Sequence, residues 1–320
     1  DAPMTDDRTR LADAARAAWQ EAAPRLELEA RACATQILSA RREAKGGRIV
    51  MHIMPRGGAD SLILKLRLGG DPAALEQAAR AYRRAATSLA GQPGLAVPRL
   101  IMTLPAHHAL ILSYSPGTDA RSLLADSTNP DDHIPVLRAA GLWLGALHRG
   151  QPAAPAAFDP APALRGQARR ARTSVAPRQT ALARLIARVR TLAVPLPDRT
   201  WPQAVIHGDM TLGNLLIAPD QITGIDVEND TPAPRARDIA MLLIDHELWF
   251  GHHPAAIQAF WQAYGNDLRH DPLLRFHIAL RLARLWSDMP AHPTQASPRR
   301  AHLWAGLQAM TARLESKDAS

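Results

Sequence analysis

Three oxygen-bearing side chains within one stretch of the chain are of the types that could serve a reaction. In "VIHGDMTLGNLLIAPDQITGIDVEND", residues 205–230, Asp209, Asn214 and Asp226 sit at the margins of apolar runs. Ionised groups in such places are costly to desolvate unless something binds them. "LLIA" (215–218) and "ITGID" (222–226) flank "PDQ", whose proline and aspartate favour a turn, so the spacing predicts a hairpin. Paired about Asp220, Asn214 falls opposite Asp226, with Cβ atoms roughly 5 Å apart. An amide oxygen and a carboxylate are hard ligands of the kind that hold Mg²⁺ while phosphates complete its shell. Asp209, in the loop before, would project toward the same end and could accept a proton from, or orient, a hydroxyl. Taken alone, the stretch could equally be a surface turn with solvated polar groups.

Lysine is scarce: Lys45, Lys65 and Lys317 are the three among 38 basic residues, the rest being arginine. Lys65 stands inside the leucine-rich run "SLILKLRL". There it is either a lysine on the open face of a strand or a compact ammonium that a site requires. A hydroxyl-orienting carboxylate, a metal clamp and a remote ammonium together describe phosphoryl transfer, which needs positioning and charge neutralisation more than covalent chemistry.

The elements that must carry these residues fall into two groups. Residues 5–21 show capping residues followed by alanine-rich helical periodicity. The short apolar runs "ATQILSAR", "RIVMHIMP" and "SLILKLRL", separated by glycine-containing punctuation, predict an antiparallel meander. A helix follows, with Leu75, Ala78, Ala79, Tyr82, Ala85, Ala86 and Leu89 at helical spacing. "VPRLIMTL" and "HALILSYS" then complete a five-stranded sheet carrying one helix. From residue 113 the chain reads as mostly helical, interrupted by the proline/alanine stretch "QPAAPAAFDPAPA", which reads as a loop or exposed linker. The expected organisation is α+β: a β-rich lobe over 1–112 and a helical lobe over 113–320.

Bulk composition narrows the class. The chain has 320 residues, 47% hydrophobic and 21% charged, the balance of a globular protein. One cysteine, Cys33, excludes an internal disulfide, and no apolar run is long enough for a spanning helix. A cytoplasmic location is the expectation. The net charge of +8 could draw in an anionic partner or reflect solvated arginines. Basic residues are spread out and aromatics make up 4%, which argues against a nucleic-acid partner. Nothing in the sequence sets an oligomeric state.

"HGDMTLGN" (207–214) resembles the H-G-D-x-x-x-x-N loop of the aminoglycoside phosphotransferase-like kinases, a superfamily that includes choline, fructosamine and homoserine kinases. Chance would produce this pattern on the order of once in a thousand chains of this length. "GIDVENDTPAPRARDIAMLL", "LILKL", "AVPRLI", "LILSYSPG" and "LGALHRG" are similar to the family in order, over roughly residues 45–250. The resemblance implies a bilobal protein-kinase-like fold and an ATP- and Mg²⁺-dependent kinase acting on a small-molecule hydroxyl. It implies Asp209 as catalytic base, Asn214 and Asp226 as metal ligands, and Lys65 as a phosphate ligand. The backbone of Ser113, Tyr114 and Ser115 would meet adenine, while His207 and Asp238 would brace the catalytic loop. Glu228 could take a supporting or substrate role; His148 reads as a packed histidine, and Met51 and Met54 as core.

Three departures stand beside the resemblance. The helix after the lysine strand places Ala78 where a lysine-pairing glutamate would project, with Glu76 about 200° around the helix. The phosphate-covering loop is only "EAKGGR", and Asp226 is followed by Val-Glu; both argue against a protein kinase. The missing glutamate alone supports a rival reading, a kinase-fold module that binds nucleotide without transferring phosphate. "VENDT" and "IDHE" could offer acidic groups to a polycationic acceptor. The overall basic charge instead favours a neutral or anionic hydroxyl compound, such as a sugar or amino alcohol.

Overall fold

The computed structural model describes residues 2–43, 46–175 and 179–318. Ala44 and Lys45, in the segment read as the phosphate-covering loop, lie outside the described residues. In chain order the structure begins with α1 (Ala2–Arg25), β1 (Cys33–Glu43), β2 (Gly46–Pro55), β3 (Leu62–Leu68) and α2 (Pro72–Leu89). Next come β4 (Leu95–Ala96), β5 (Leu100–Leu104), β6 (Ala109–Ser113), β7 (Thr118–Asp119), α3 (Ala120–Ala125) and α4 (His133–Gly150). Then follow β8 (Pro152–Ala157), α5 (Ala161–Thr173), α6 (Gln179–Ala193), β9 (Thr200–Val205), β10 (Leu215–Ile217) and β11 (Ile222–Gly224). The chain finishes with β12 (Pro232–Pro234), α7 (Ala236–Phe250), α8 (Pro254–Tyr264), α9 (Pro272–Ser287), α10 (Pro293–Ala296) and α11 (Pro298–Asp318). No described helix is long and apolar enough to cross a membrane.

The chain divides into two compact units. The first runs to Gly117 and also takes Ala218–Asp230, a segment the sequence reading had left with the helical part. Its placement has a backbone cause: β11 pairs in parallel with β4, Ile222 opposite Leu95, and Ile222 N donates to Gly94 O at 2.7 Å. The main sheet of this unit is five-stranded and antiparallel, in the order β1-β2-β3-β6-β5. Period-two alternation sends Ile49, Met51 and Ile53 of β2 and Leu62, Leu64 and Leu66 of β3 to one face. There they join Leu11, Ala15, Ala18, Trp19 and Ala22 of α1 in one core. Arg48, Val50 and Lys65 therefore point the other way. Helix α2 is capped by Asp71, which accepts from Ala73 N, with Pro72 in its first turn.

The second unit comprises Thr118–Ile217 and Thr231–Ser320 and is mainly helical. Helices α4 and α8 pack closely because α4 carries glycine at the contact: a Cβ on Gly141 would meet Phe260 O at 2.4 Å. A three-stranded antiparallel sheet, β12-β9-β8, lies beside them in this unit. Strand β8 corrects the reading of "QPAAPAA" as a loop. Proline cannot donate to a ladder, but it is tolerated on an edge strand, and β8 is one.

Candidate active site

In the second unit, the loop from His207 to Asn214 connects β9 to β10, and two aspartates on α7 hold it. Asp238 Oδ2 accepts from His207 N at 2.7 Å, and its Oδ1 accepts from Gly208 N at 2.9 Å. Two helical turns on, Asp245 Oδ2 accepts from Leu212 N at 2.9 Å. Gly208 has φ +87, a left-handed conformation that glycine adopts without steric cost. Behind Asp238 lies a buried relay: His148 Nε2 is 3.2 Å from Asp238 Oδ2, and His148 Nδ1 is 3.0 Å from the Tyr264 hydroxyl. Burial opposes ionisation of Asp238, yet the hydrogen bonds from His148 and Gly208 N keep its pKa below the usual carboxylate value. Burial raises Tyr264 to about 12, so it remains a donor. His148 is a packed histidine, fully buried, as its sequence context suggested.

Within this frame Asp209 is exposed. Its N–H donates to His207 Nδ1 at 3.3 Å, and its carbonyl accepts from Asn214 Nδ2 at 2.7 Å. The backbone is fixed at both ends while the carboxylate stays open to solvent. Asn214 lies in a 3₁₀ turn before β10, its amide nitrogen spent on Asp209 and its oxygen left to accept.

In the first unit, Lys65 meets a group of charges. Its ammonium donates to Asp226 Oδ1 at 2.7 Å, Glu228 Oε1 at 2.8 Å and the Tyr82 hydroxyl at 3.2 Å. Arg48 Nη2 donates to Asp226 Oδ2 at 2.8 Å and lies 3.4 Å from Glu228 Oε1. Burial alone would lower the Lys65 pKa, but Tyr82, Asp226 and Glu228 outweigh it and raise it. Burial would raise Asp226; Lys65 and Arg48 instead hold it at about 2. Glu228 is lowered by the same two cations against its own burial. Both carboxylates are thus ionised and face one side.

Asp226 has φ +61, a left-handed conformation that a residue with a Cβ seldom adopts. This corrects the hairpin register. Strand β11 ends at Gly224, so Asp226 lies beyond it. The turn closes with Ala218 facing Gln221, centred between Pro219 and Asp220 and not on Asp220. Left-handed backbone breaks the pleat, and the Asp226 side chain is aimed by that kink and not by strand alternation.

Ser113 ends β6, and Tyr114 and Ser115 follow it. Ser113 N donates to Arg99 O and Tyr114 N to Ser61 O, so both donors are spent within the unit. Ser115 N has no hydrogen-bond partner among the described residues. The Tyr114 ring stacks on His52 with centroids 4.4 Å apart. Among the described residues no group of three or more His, Cys, Asp or Glu side chains is placed to hold a metal ion.

The sequence reading placed Tyr82 only on a helix stripe and Asp245 only within "IDHE", and missed Arg48 and Arg121. Two of the four left a signal. Arg48 shares the strand parity of Val50, which stands opposite Lys65, and Asp245 repeats Asp238 at a seven-residue interval. Arg121 left none: it reaches Asp245 from α3 with two 2.8 Å contacts across 124 residues.

Residues 55–277 match the model of the phosphotransferase enzyme family. The chain belongs to that family. It is thus a phosphotransferase, as the "HGDMTLGN" resemblance implied. No curated protein matches its sequence. Solved structures share its protein-kinase-like α+β fold. A choline/ethanolamine kinase family protein from Mesorhizobium loti is 16% identical, with a TM-score of 0.59 over 93% of this chain and 99% of its own. Spectinomycin phosphotransferase, solved with ADP and spectinomycin, is 15% identical, with a TM-score of 0.55 over 86% and 87%. Amicoumacin kinase, solved with AMP-PNP and Ca²⁺, is 14% identical, with a TM-score of 0.55 over 87% and 88%.

Proposed function

We propose that the phosphotransferase moves the γ-phosphoryl group of ATP to the hydroxyl of a small molecule, with Asp209 as the group that receives or orients the acceptor proton. The observation that carries this reading is the braced loop: Asp238 and Asp245 fix the backbone while the Asp209 carboxylate remains exposed. The acceptor oxygen attacks the γ-phosphorus, the bond to the β-phosphate oxygen breaks, ADP leaves, and the hydroxyl proton passes to Asp209. His148, Tyr264 and Asp238 take no part in that transfer; they keep the loop in one geometry.

Lys65 is proposed as the phosphate ligand and Ser115 as the adenine-facing backbone donor. Asn214 and Asp226 are proposed as ligands of Mg²⁺. Their chemistry fits the ion: an amide oxygen free to accept, and a carboxylate held ionised. When bound, the ion would neutralise phosphate charge. Glu228 supports Lys65 and competes with phosphate for it. The similar structures bound to ADP and AMP-PNP are consistent with nucleotide use.

The rival reading, a module that binds nucleotide without transfer, rested on the absent helix glutamate. Glu76 does face solvent, 3.9 Å from Arg80. Lys65 nonetheless has partners in Asp226, Glu228 and Tyr82, so that support lapses. The test is Mg²⁺-dependent ATP consumption across a panel of hydroxyl compounds, in wild type and Asp209→Asn. Acceptor-stimulated turnover that the substitution abolishes supports the reading, and its absence from the wild type across the panel rejects it.

A further inference from the structure

Next to the Asp209 loop, the second unit holds two adjoining cavities of about 350 and 220 Å³. Met241 of α7 and Arg281 of α9 line both, so the two lie side by side on one face, here called the trough. The smaller part includes Thr211, two residues along the chain from Asp209, so the trough touches the loop that carries Asp209.

Charge along the trough is one-sided. Arg237, Arg281 and Arg284 line the larger part, where no acidic residue appears. Arg121, Arg281 and Arg299 line the smaller part, with Asp245 as its one acid. Asp245 is already matched by Arg121 and by Leu212 N. The remaining acid of "IDHE", Glu247, is paired with Arg313. Neither Arg237 nor Arg281 has a carboxylate partner among the described residues. Guanidinium groups gathered around a space without countercharge repel one another, and a bound anion would relieve that cost. Arg284 registers it: burial first, then Arg170, Arg237 and Arg281, lower its pKa, against a smaller raising effect of Asp288. His277 adds a polar contact on the same wall. Burial, with Arg237 and Arg284, pushes it down to about 3, and its buried Nε2 has no hydrogen-bond partner.

Resting on the kinase reading, we infer that the acceptor is an anionic hydroxyl compound, its carboxylate or phosphate gripped by Arg281 and Arg237 in the trough beside Asp209. The guanidinium fork suits either oxyanion, because both offer paired oxygens to two parallel N–H groups. Amino alcohols and aminoglycosides would instead bring positive charge against arginines, with no unpaired carboxylate among the residues that line the trough.

Four hexoses that share a ring and differ in charge test this by calorimetric titration: D-glucose, D-glucosamine, D-glucuronate and glucose 6-phosphate. Each is titrated with Mg·ADP saturating, so that binding in place of the nucleotide phosphates does not register. Glucuronate or glucose 6-phosphate should bind at least about tenfold tighter than glucosamine, and the two anions separate a carboxylate site from a phosphate site. Arg281→Gln and Arg237→Gln should each erase that preference, leave ADP affinity unchanged, and raise the melting temperature by removing repulsion. Equal affinity across the series, including no binding by any member, overturns the inference, as does anion binding that survives both substitutions. ATP turnover is followed in parallel. Anion binding without phosphate transfer would reject the kinase reading and keep the trough, whereas transfer to glucosamine unaffected by either substitution would do the reverse.

Discussion

Lys65 Nζ donates to Asp226 Oδ1 at 2.7 Å, an ion pair between residues 161 positions apart in the chain. The lysine proposed to hold nucleotide phosphates therefore has carboxylate partners within the protein itself. Lys65→Met should leave Asp226 and Glu228 facing Arg48 alone. Removing one partner of a buried ion pair costs about 3 kcal/mol or more, which denaturant unfolding would show. ATP affinity should fall by at least about tenfold in the same variant, measured by calorimetry.

Asp209→Asn should behave differently. Its carboxylate is exposed and its two contacts are made by backbone atoms, so the melting temperature and ADP affinity should match wild type. Turnover should fall by about 10²–10⁴, the range for a group that handles a proton in the transition state. An unstable variant would show that the side chain is structural.

Asp238→Asn separates positioning from chemistry. The amide can accept from one backbone N–H but brings its own donors toward the other, in a site that now receives His207 N, Gly208 N and His148. Hydrogen bonds to a charged acceptor contribute about 1.5–3 kcal/mol each, so a loss of roughly 3 kcal/mol in stability is expected. Turnover should drop while nucleotide affinity holds, because Lys65 and Ser115 belong to the other unit. A coupled loss of both would refute a role confined to the loop.

Acid should weaken the protein through two histidines. His246, fully buried beside His133 and His253, and His277 in the trough are each pushed down to about 3, by burial foremost. Both are neutral when folded and bind a proton on unfolding below pH 6.5, so stability is full above that value and falls as the pH drops toward 3. The slope is about 1.4 kcal/mol per pH unit for each histidine. Unfolding curves between pH 7 and about 4 measure it, and His246→Gln should flatten the slope by about half. A flat profile would contradict the burial of these rings.

Two glycines in helices should respond with opposite signs. Gly141→Ala drives a methyl to 2.4 Å from Phe260 O, which forces α4 and α8 apart and should cost about 1–3 kcal/mol. Gly166→Ala, in α5, meets nothing nearer than Arg169 Nη2 at 3.9 Å and should add about 0.5–1 kcal/mol through helix propensity. Thermal unfolding of the pair measures how far the close approach of α4 and α8 depends on glycine.

Much of the fold could be read from the sequence because strand alternation and helical spacing are local. The five runs from "ATQILSAR" to "HALILSYS" became β1, β2, β3, β5 and β6, and the stripe through Tyr82 became the buried side of α2 except for Ala86, which is exposed. Met51 went to the core face, whereas Met54, of the opposite parity, is only half-buried and lies outside that core. The "HGDMTLGN" loop pointed to the family because its residue types and intervals are set by chemistry, which leaves them little freedom.

What pairs with Lys65 could be decided only in three dimensions. Local spacing put Glu76 about 200° from the side of α2 where a partner would project, and Glu76 does face solvent. Spacing could not supply Arg48 or say that Glu228 and Asp226 converge on the same ammonium, because those contacts depend on strand neighbours and on a left-handed kink at Asp226. The edge position that lets "QPAAPAA" form a strand, and the gathering of Arg237, Arg281 and Arg284 around one space, have the same origin. Sequence sets what each segment prefers and which chemical groups it carries. Packing sets which groups meet, because the energy of a buried charge depends on neighbours that can lie anywhere in the chain.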